Sequence, residues 1–322
     1  MTIEPHDMTM DEGTATRIDW TDLPPTVRAA IEHRLGAGVS SAASQSGGFS
    51  HGVAARLMLV DGSRAFVKAI ECEDGLAQAY RNEAETTAAL PHDAPAPRLR
   101  AAMDAEGWFI AIFDDVAGHH PRLDHPDERA AVLATVTRLA ETLTPCPLPN
   151  ASAFAAAYGP MFENWAHFAE QGPPADLDAW ARARLDRLAD LESAWRTAAD
   201  GNTLLHTDLR PDNMIRRPDG AIFVVDWAWP CRGAAWIDLV ALGPTLARAG
   251  VDPDPILADH PVTRATDPAA IDGLICALAG YWTRQCRRPG PSRSPNLRGY
   301  QAESAATTLT WLRRRLRDRE HS

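Results

Sequence analysis

The chain has 322 residues, 45% of them hydrophobic, so two cores are more natural than one. Its formal net charge of −11 argues against nonspecific binding to nucleic acid or to an anionic membrane surface. No apolar run approaches membrane-spanning length and no signal-peptide pattern opens the chain; five cysteines without Cys-x-x-Cys spacing read as reduced thiols of a cytoplasmic protein.

In chain order, residues 1–20 are polar and acidic and read as a loose tail. Ser46-Gly47-Gly48-Phe49-Ser50-His51-Gly52 is a small, glycine-rich stretch ahead of a strand candidate at 53–60. So little side-chain bulk lets backbone N–H groups come close to phosphates, which makes Gly47, Gly48, Phe49 and Ser50 candidate nucleotide contacts. An ordinary hairpin turn is the plain alternative, and no Gly-Lys-Ser/Thr follows, so this is not a Walker loop. After a turn at Asp61-Gly62, residues 64–69 form a returning strand that carries Lys68 among apolar neighbours. An unpaired ammonium is costly there, so a charged partner is expected. The candidate is Glu83: Leu76, Tyr80 and Ala84 predict a helix over 76–90 with Glu83 near its apolar face and Glu85 turned away. Trp108–Phe113 is a further apolar strand, ending at Asp114-Asp115-Val116-Ala117-Gly118.

Beyond this point the pattern is helical, with helices predicted over 127–144, 151–170, 176–199, 236–249, 268–288 and 297–319. Trp165, Trp180, Trp195, Trp282 and Trp311 read as packing aromatics. His119, His120 and His125 form no closed metal-ligand set, and the arginine-rich stretch 311–319 reads as a solvated basic helix end.

The densest chemistry lies between these helices. His206-Thr207-Asp208-Leu209-Arg210-Pro211-Asp212-Asn213 is followed by Asp226-Trp227. Residues 213–217 and 221–225 read as short strands joined by Pro218-Asp219-Gly220, a hairpin that returns Asp226 toward Asn213. Phosphoryl transfer from Mg-ATP needs a carboxylate to accept the proton of an attacking hydroxyl, and an Asn and a second carboxylate to hold Mg2+. Asp208 is the candidate base, Asn213 and Asp226 are the candidate metal ligands, and His206 is a brace for the loop. Arg210 either offsets charge on the γ-phosphate or pairs with a nearby carboxylate. Singly, each residue is a common turn or cap former; their joint order points to a kinase-type site.

These residues, with Gly233-Ala234-Ala235-Trp236-Ile237-Asp238-Leu239 after them, resemble the signature of the aminoglycoside phosphotransferases and their choline-kinase-like relatives, over about residues 40–322. The resemblance implies an α+β, two-lobed protein-kinase-like fold. A small antiparallel sheet lobe with one helix would span 21–114, and a larger, mainly helical lobe carrying catalysis and the acceptor would span 115–322. It also implies that Lys68 and Glu83 orient the α- and β-phosphates, and that backbone groups near Phe113 to Val116 meet adenine. Asp238 is expected to tie the catalytic loop through backbone hydrogen bonds. His-Thr-Asp and Asp-Trp-Ala stand where protein kinases carry His-Arg-Asp and Asp-Phe-Gly, and no Ala-Pro-Glu element follows, which points to the small-molecule branch.

The expected reaction is therefore ATP- and Mg2+-dependent phosphorylation of a hydroxyl on an aminoglycoside or related antibiotic. Residues 150–200 carry eight acidic side chains against four arginines, and Asp252, Asp254 and Asp259 add an acidic loop. Such a surplus suits a cationic acceptor, or is simply solvated helix surface. A metabolic kinase of the same fold, acting on choline, homoserine, a sugar or a fructosamine, is the alternative. A non-catalytic nucleotide-binding protein is a weaker one, because Lys68, Glu83, Asp208, Asn213 and Asp226 are all present.

Overall fold

The computed structural model describes residues 15–45, 48 and 50–320 and divides the chain into two compact units. One unit takes the chain up to Ala88 with Pro97–Ala117 and Gly290–Leu297; the other takes Ala89–Ala96, Gly118–Pro289 and the chain from Arg298.

The first unit is built on five antiparallel strands, β1 (Val39–Ser44), β2 (Val53–Leu59), β3 (Arg64–Glu71), β4 (Leu99–Ala105) and β5 (Trp108–Asp114), in the order β1-β2-β3-β5-β4. Alternation along the strands sends Ala65, Val67, Ala69, Ile110 and Ile112 to one face and Ile70, Phe109, Ala111 and Phe113 to the other. Each face is covered by a helix. α1 (Pro25–Leu35) lays Val27 and Ile31 on the first, and α2 (Ala77–Ala89) lays Ala77, Tyr80 and Ala84 on the second.

The sheet lobe thus has two helices where one was expected. Only Val27 and Ile31 of α1 are buried, too sparse a stripe to announce a helix, although Pro25 at its start and left-handed Gly36 at its end bound it. Of the tail expected over residues 1–20, residues 1–14 lie outside the described residues, and residues 16–20 are held in place. Asp19 caps a 3-10 turn at Trp20–Asp22, and Trp20 is buried with α1. The Thr16 N–H donates to the Arg293 carbonyl and that of Ile18 to the His51 carbonyl.

The second unit is mainly helical: α3 (Pro126–Thr142), α4 (Phe154–Tyr158), α5 (Asn164–Gln171), α6 (Ala179–Arg182), α7 (Leu185–Leu191), α8 (Trp236–Arg248), α9 (Pro253–Asp259), α10 (Pro268–Gln285) and α11 (Leu297–Glu320). Its core includes the fully buried Trp165, Trp195 and Trp227. Two short ladders interrupt the helices, β6 (Thr203–Leu205) with β9 (Cys231–Gly233) and β7 (Met214–Arg216) with β8 (Ile222–Val224).

The helices expected at 151–170 and 176–199 are each broken. Gly159-Pro160 turns the first into a 3-10 stretch, Gly159–Phe162. α5 then restarts, with the buried Glu192 carboxylate accepting the N–H groups of Asn164, Trp165 and Ala166 at 3.0, 3.0 and 2.7 Å. Arg184 leaves helical geometry between α6 and α7. The basic end of α11 is engaged rather than solvated: Arg313 pairs with Asp178, Arg314 with Asp252 and Asp254, and Arg315 with Asp254 and Asp272. Among the described residues no helix is long and apolar enough to cross a membrane.

Candidate active site

The β6–β9 ladder delivers the chain into the loop that starts at His206, and the buried carboxylate of Asp238, in the first turn of α8, holds that loop. Its two oxygens accept the backbone N–H groups of His206 and Thr207, both at 2.8 Å. Thr207 needs such a clamp, because it sits at φ 67°, a region that β-branched residues avoid. Its hydroxyl donates to the Trp229 carbonyl at 2.8 Å and accepts from the Tyr158 hydroxyl at 2.8 Å.

The tautomer of His206 follows from its partners. Nε2 lies 2.9 Å from the Val225 carbonyl, which can only accept, so Nε2 carries the hydrogen. Nδ1 is then the acceptor for the Asp208 N–H at 3.3 Å. Burial pushes the imidazole toward its neutral form, and the ring packs edge-on against Trp227 with centroids 4.7 Å apart. Both nitrogens are occupied, which makes His206 a strut between the loop and the chain just before Asp226.

Asp208 and Asn213 are joined directly. The Asn213 amide nitrogen donates to the Asp208 carbonyl at 2.9 Å and to its carboxylate at 3.1 Å. Since a carbonyl cannot donate, the NH2 group must face Asp208, and Oδ1 is left to serve a cation. The β7–β8 hairpin turns at Gly220 (φ 88°), and the Val225 N–H donates to the Asn213 carbonyl at 2.9 Å. The hairpin therefore sets Asp226, itself at φ 65°, one residue beyond the partner of Asn213. One carboxylate and one carboxamide suit Mg2+, which takes its remaining oxygens from phosphates and water. Burial pushes the half-buried Asp208 carboxyl up to about 6; Arg210 pulls it down, while Asp212 and Asp226 push the same way as burial.

Of the two roles open to Arg210, the geometry displays the pairing one. Its Nε lies 3.3 Å from Asp208 Oδ1 and its Nη2 3.1 Å from Asp212 Oδ2. The guanidinium also lies over the Tyr300 ring at 5.4 Å, which Arg248 approaches at 4.6 Å.

In the sheet unit, β3 alternation turns Lys68 to the α2 face, and its Nζ donates to Glu83 Oε1 and Oε2 at 2.8 and 2.6 Å, with both residues buried. Glu85 is exposed. Phe113 is buried in β5, paired with Phe66 and Leu99, and the Val116 carbonyl accepts from Arg56. Asp115 next to it is clamped by Arg56 and Arg64 at 2.9 and 2.7 Å. Gly48 is left-handed at φ 85° and Ser50 lies just ahead of β2; Gly47 and Phe49 lie outside the described residues.

Four of the eight acidic side chains between 150 and 200 pair with arginines or cap a helix. Glu163 pairs with Arg196 at 2.5 Å, Asp176 with Arg287 at 3.0 Å and Asp178 with Arg313 at 2.7 Å, while Glu192 caps α5. Asp252 and Asp254 bind the arginines of α11. His119 lies 3.4 Å from Glu128, and His120 Nδ1 donates to the Met214 carbonyl at 2.9 Å. Sequence reasoning missed Tyr158, Trp229 and Tyr300, which no motif marks and which only the packing of distant segments brings to the loop.

The model of the phosphotransferase enzyme family matches residues 47–284. The chain matches no curated protein sequence. Among solved structures it is similar to an aminoglycoside phosphotransferase from Alicyclobacillus acidocaldarius, with 14% identity and a TM-score of 0.54 over 87% of this chain and 93% of that one. A choline kinase from Streptococcus pneumoniae gives 14% and 0.57 over 87% and 98%, and a candidate fructosamine-3-kinase from Haemophilus somnus gives 12% and 0.56 over 89% and 97%. At these identities the likeness is one of fold, the α+β kinase-like fold described above. With the family match spanning most of its length, the chain belongs to the phosphotransferase enzyme family and is an ATP-dependent phosphotransferase.

Proposed function

We propose that the protein transfers the γ-phosphate of ATP to a hydroxyl of a small molecule, in the cytoplasm where ATP is supplied. The observation that carries this reading is the double donation from Asn213 to Asp208. It orients the carboxylate and at the same time reserves the amide oxygen for a metal. Asp208 accepts the proton of the attacking hydroxyl, and the oxygen so activated attacks the γ-phosphorus in line with the departing ADP. Asn213 and Asp226 would hold Mg2+, which when bound offsets charge on the phosphate oxygens. Lys68, oriented by Glu83, offsets charge on the α- and β-phosphates. Gly47, Gly48, Phe49 and Ser50 supply backbone N–H groups to phosphate, and backbone groups near Phe113 to Val116 meet adenine. Arg210 holds the Asp208 carboxylate in place, and His206 braces the loop.

Aminoglycosides and related antibiotics are compatible with this chemistry, as are choline, homoserine, sugars and fructosamines. The electrostatic argument for a polycation is reduced, because four of the eight carboxylates behind it pair with arginines or cap a helix. Incubation of the protein with Mg-ATP and each acceptor class, followed by mass spectrometry of the acceptor, tests the reading. A phosphate monoester on one class supports it. ATP hydrolysis to free phosphate with every acceptor unmodified would refute it.

A further inference from the structure

In the sheet unit, the hydroxyl of Tyr80 is buried and, among the described residues, has no hydrogen-bond partner. The residue is 4% exposed and belongs to the first half of α2. The neighbours that share its small core, Ile70, Ala77, Ala84 and Phe109, are apolar. A buried hydroxyl left unpaired destabilises a fold, and phenylalanine would fill the same space without that penalty. The oxygen is therefore a feature that packing does not explain.

Two contacts locate it. Lys68 Nζ lies 5.8 Å from the centre of the Tyr80 ring, and Glu83, which holds the same ammonium, follows one turn later on α2. The ring thus flanks the Lys68–Glu83 pair. Its hydroxyl end is packed against Gly52, which closes the glycine-rich stretch just ahead of β2. A Cβ on Gly52 would lie 2.5 Å from Tyr80 Oη and 2.6 Å from the Ala69 carbonyl oxygen. Gly52 has room for hydrogen alone, so the phenol oxygen approaches the loop backbone more closely than any larger residue would allow. One side chain therefore spans from the ammonium assigned to the α- and β-phosphates to the exit of the loop assigned to phosphate contacts. A phenol can donate, and phosphate oxygens accept. Because this hydroxyl is already out of water, its bond to a charged oxygen is not offset by its own desolvation.

We propose that the Tyr80 hydroxyl is a further nucleotide-binding group, donating to an oxygen of the α- or β-phosphate. The inference rests on the reading above that gives Lys68 and the glycine-rich stretch to the nucleotide. An internal water on the hydroxyl is the competing occupant, and it would leave nucleotide affinity indifferent to that oxygen.

Tyr80→Phe isolates the hydroxyl, because the ring beside Lys68 is kept. Isothermal titration of the full chain with ADP and with adenosine, Mg2+ present throughout, reads its contribution. ADP affinity should fall about tenfold in Tyr80→Phe, the equivalent of about 1.4 kcal/mol, while adenosine, which has no phosphate, should bind as it does to the wild type. Tyr80→Leu, which also takes the ring from Lys68, should lose more ADP affinity than Tyr80→Phe. In urea unfolding without nucleotide, Tyr80→Phe should be no less stable than the wild type, as expected when an unpaired hydroxyl is removed. Unchanged ADP affinity in Tyr80→Phe, or an equal loss for adenosine, overturns the proposal. So does a Tyr80→Phe protein that is less stable without nucleotide, since the hydroxyl would then have a partner within the protein. The wild type judges the underlying reading separately. Absence of ADP binding there counts against the roles given to Lys68 and the loop, whereas normal binding with an indifferent Tyr80→Phe removes only the role of the hydroxyl.

Discussion

The side-chain amide of Asn213 donates to both the backbone carbonyl and the carboxylate of Asp208. This couples the group proposed to take the proton to the group proposed to hold the metal, so neither can shift alone. Replacing Asn213 by Ala removes both functions at once. The Mg2+ concentration for half-maximal turnover should rise roughly 10–100-fold, the span typical of losing a residue that holds or orients a metal. Titration of turnover against Mg2+ checks this, and an unchanged midpoint would remove Asn213 from the metal site.

The Asp208 carboxyl lies near 6, raised chiefly by burial. A general base works deprotonated, so kcat/KM should be full above this value and fall as pH drops through about 6. Arg210 pulls the same carboxyl down. Arg210→Gln should therefore move the acid limb to higher pH. An acid limb indifferent to Arg210 would contradict this account of the site.

Asp238 carries the backbone of the loop. In Asp238→Ala the buried N–H of His206 and the part-buried N–H of Thr207 lose their acceptors while Thr207 stays in a disfavoured conformation. The cost should be roughly 2–6 kcal/mol, at 1–3 kcal/mol for each unsatisfied group, with loss of turnover. Asp238→Asn keeps one acceptor oxygen and should fall between the wild type and Asp238→Ala. Urea unfolding of the three proteins orders them.

Glu83→Gln leaves the buried ammonium of Lys68 without its carboxylate. Breaking a buried pair in this way costs about 3–5 kcal/mol. Lys68→Met/Glu83→Gln should lose less than the sum of the two single changes, because each single variant includes the same broken pair. Additive losses in denaturant unfolding would show that the two side chains are energetically independent.

Much of this site was legible in sequence because its chemistry is local. Asp208, Asn213 and Asp226 lie on one loop and one hairpin, and Pro218-Asp219-Gly220 announces the turn that closes it. Lys68 and Glu83 were readable for another reason: a lysine among apolar strand residues demands a partner, and the following helix offered one on the right face. The role expected of Asp238 also matches its two hydrogen bonds. What failed depended on tertiary context. α1 has a weak apolar stripe, yet the sheet it covers stabilises it. The long helices expected at 151–170 and 176–199 had acceptable periodicity, but Gly159-Pro160 and the Glu192 cap from a distant segment divide the first. Counting carboxylates between 150 and 200 overstated the surplus, because Arg287 and Arg313, which lie outside that range, pair with Asp176 and Asp178.

Acceptor-stimulated ADP release, measured for the wild type and for Asp208→Ala, tests the central claim most directly. Loss of the base should lower turnover by roughly 10²–10⁴ while nucleotide binding persists. Near-normal stimulated turnover in Asp208→Ala would contradict the assignment of Asp208 and the mechanism built on it.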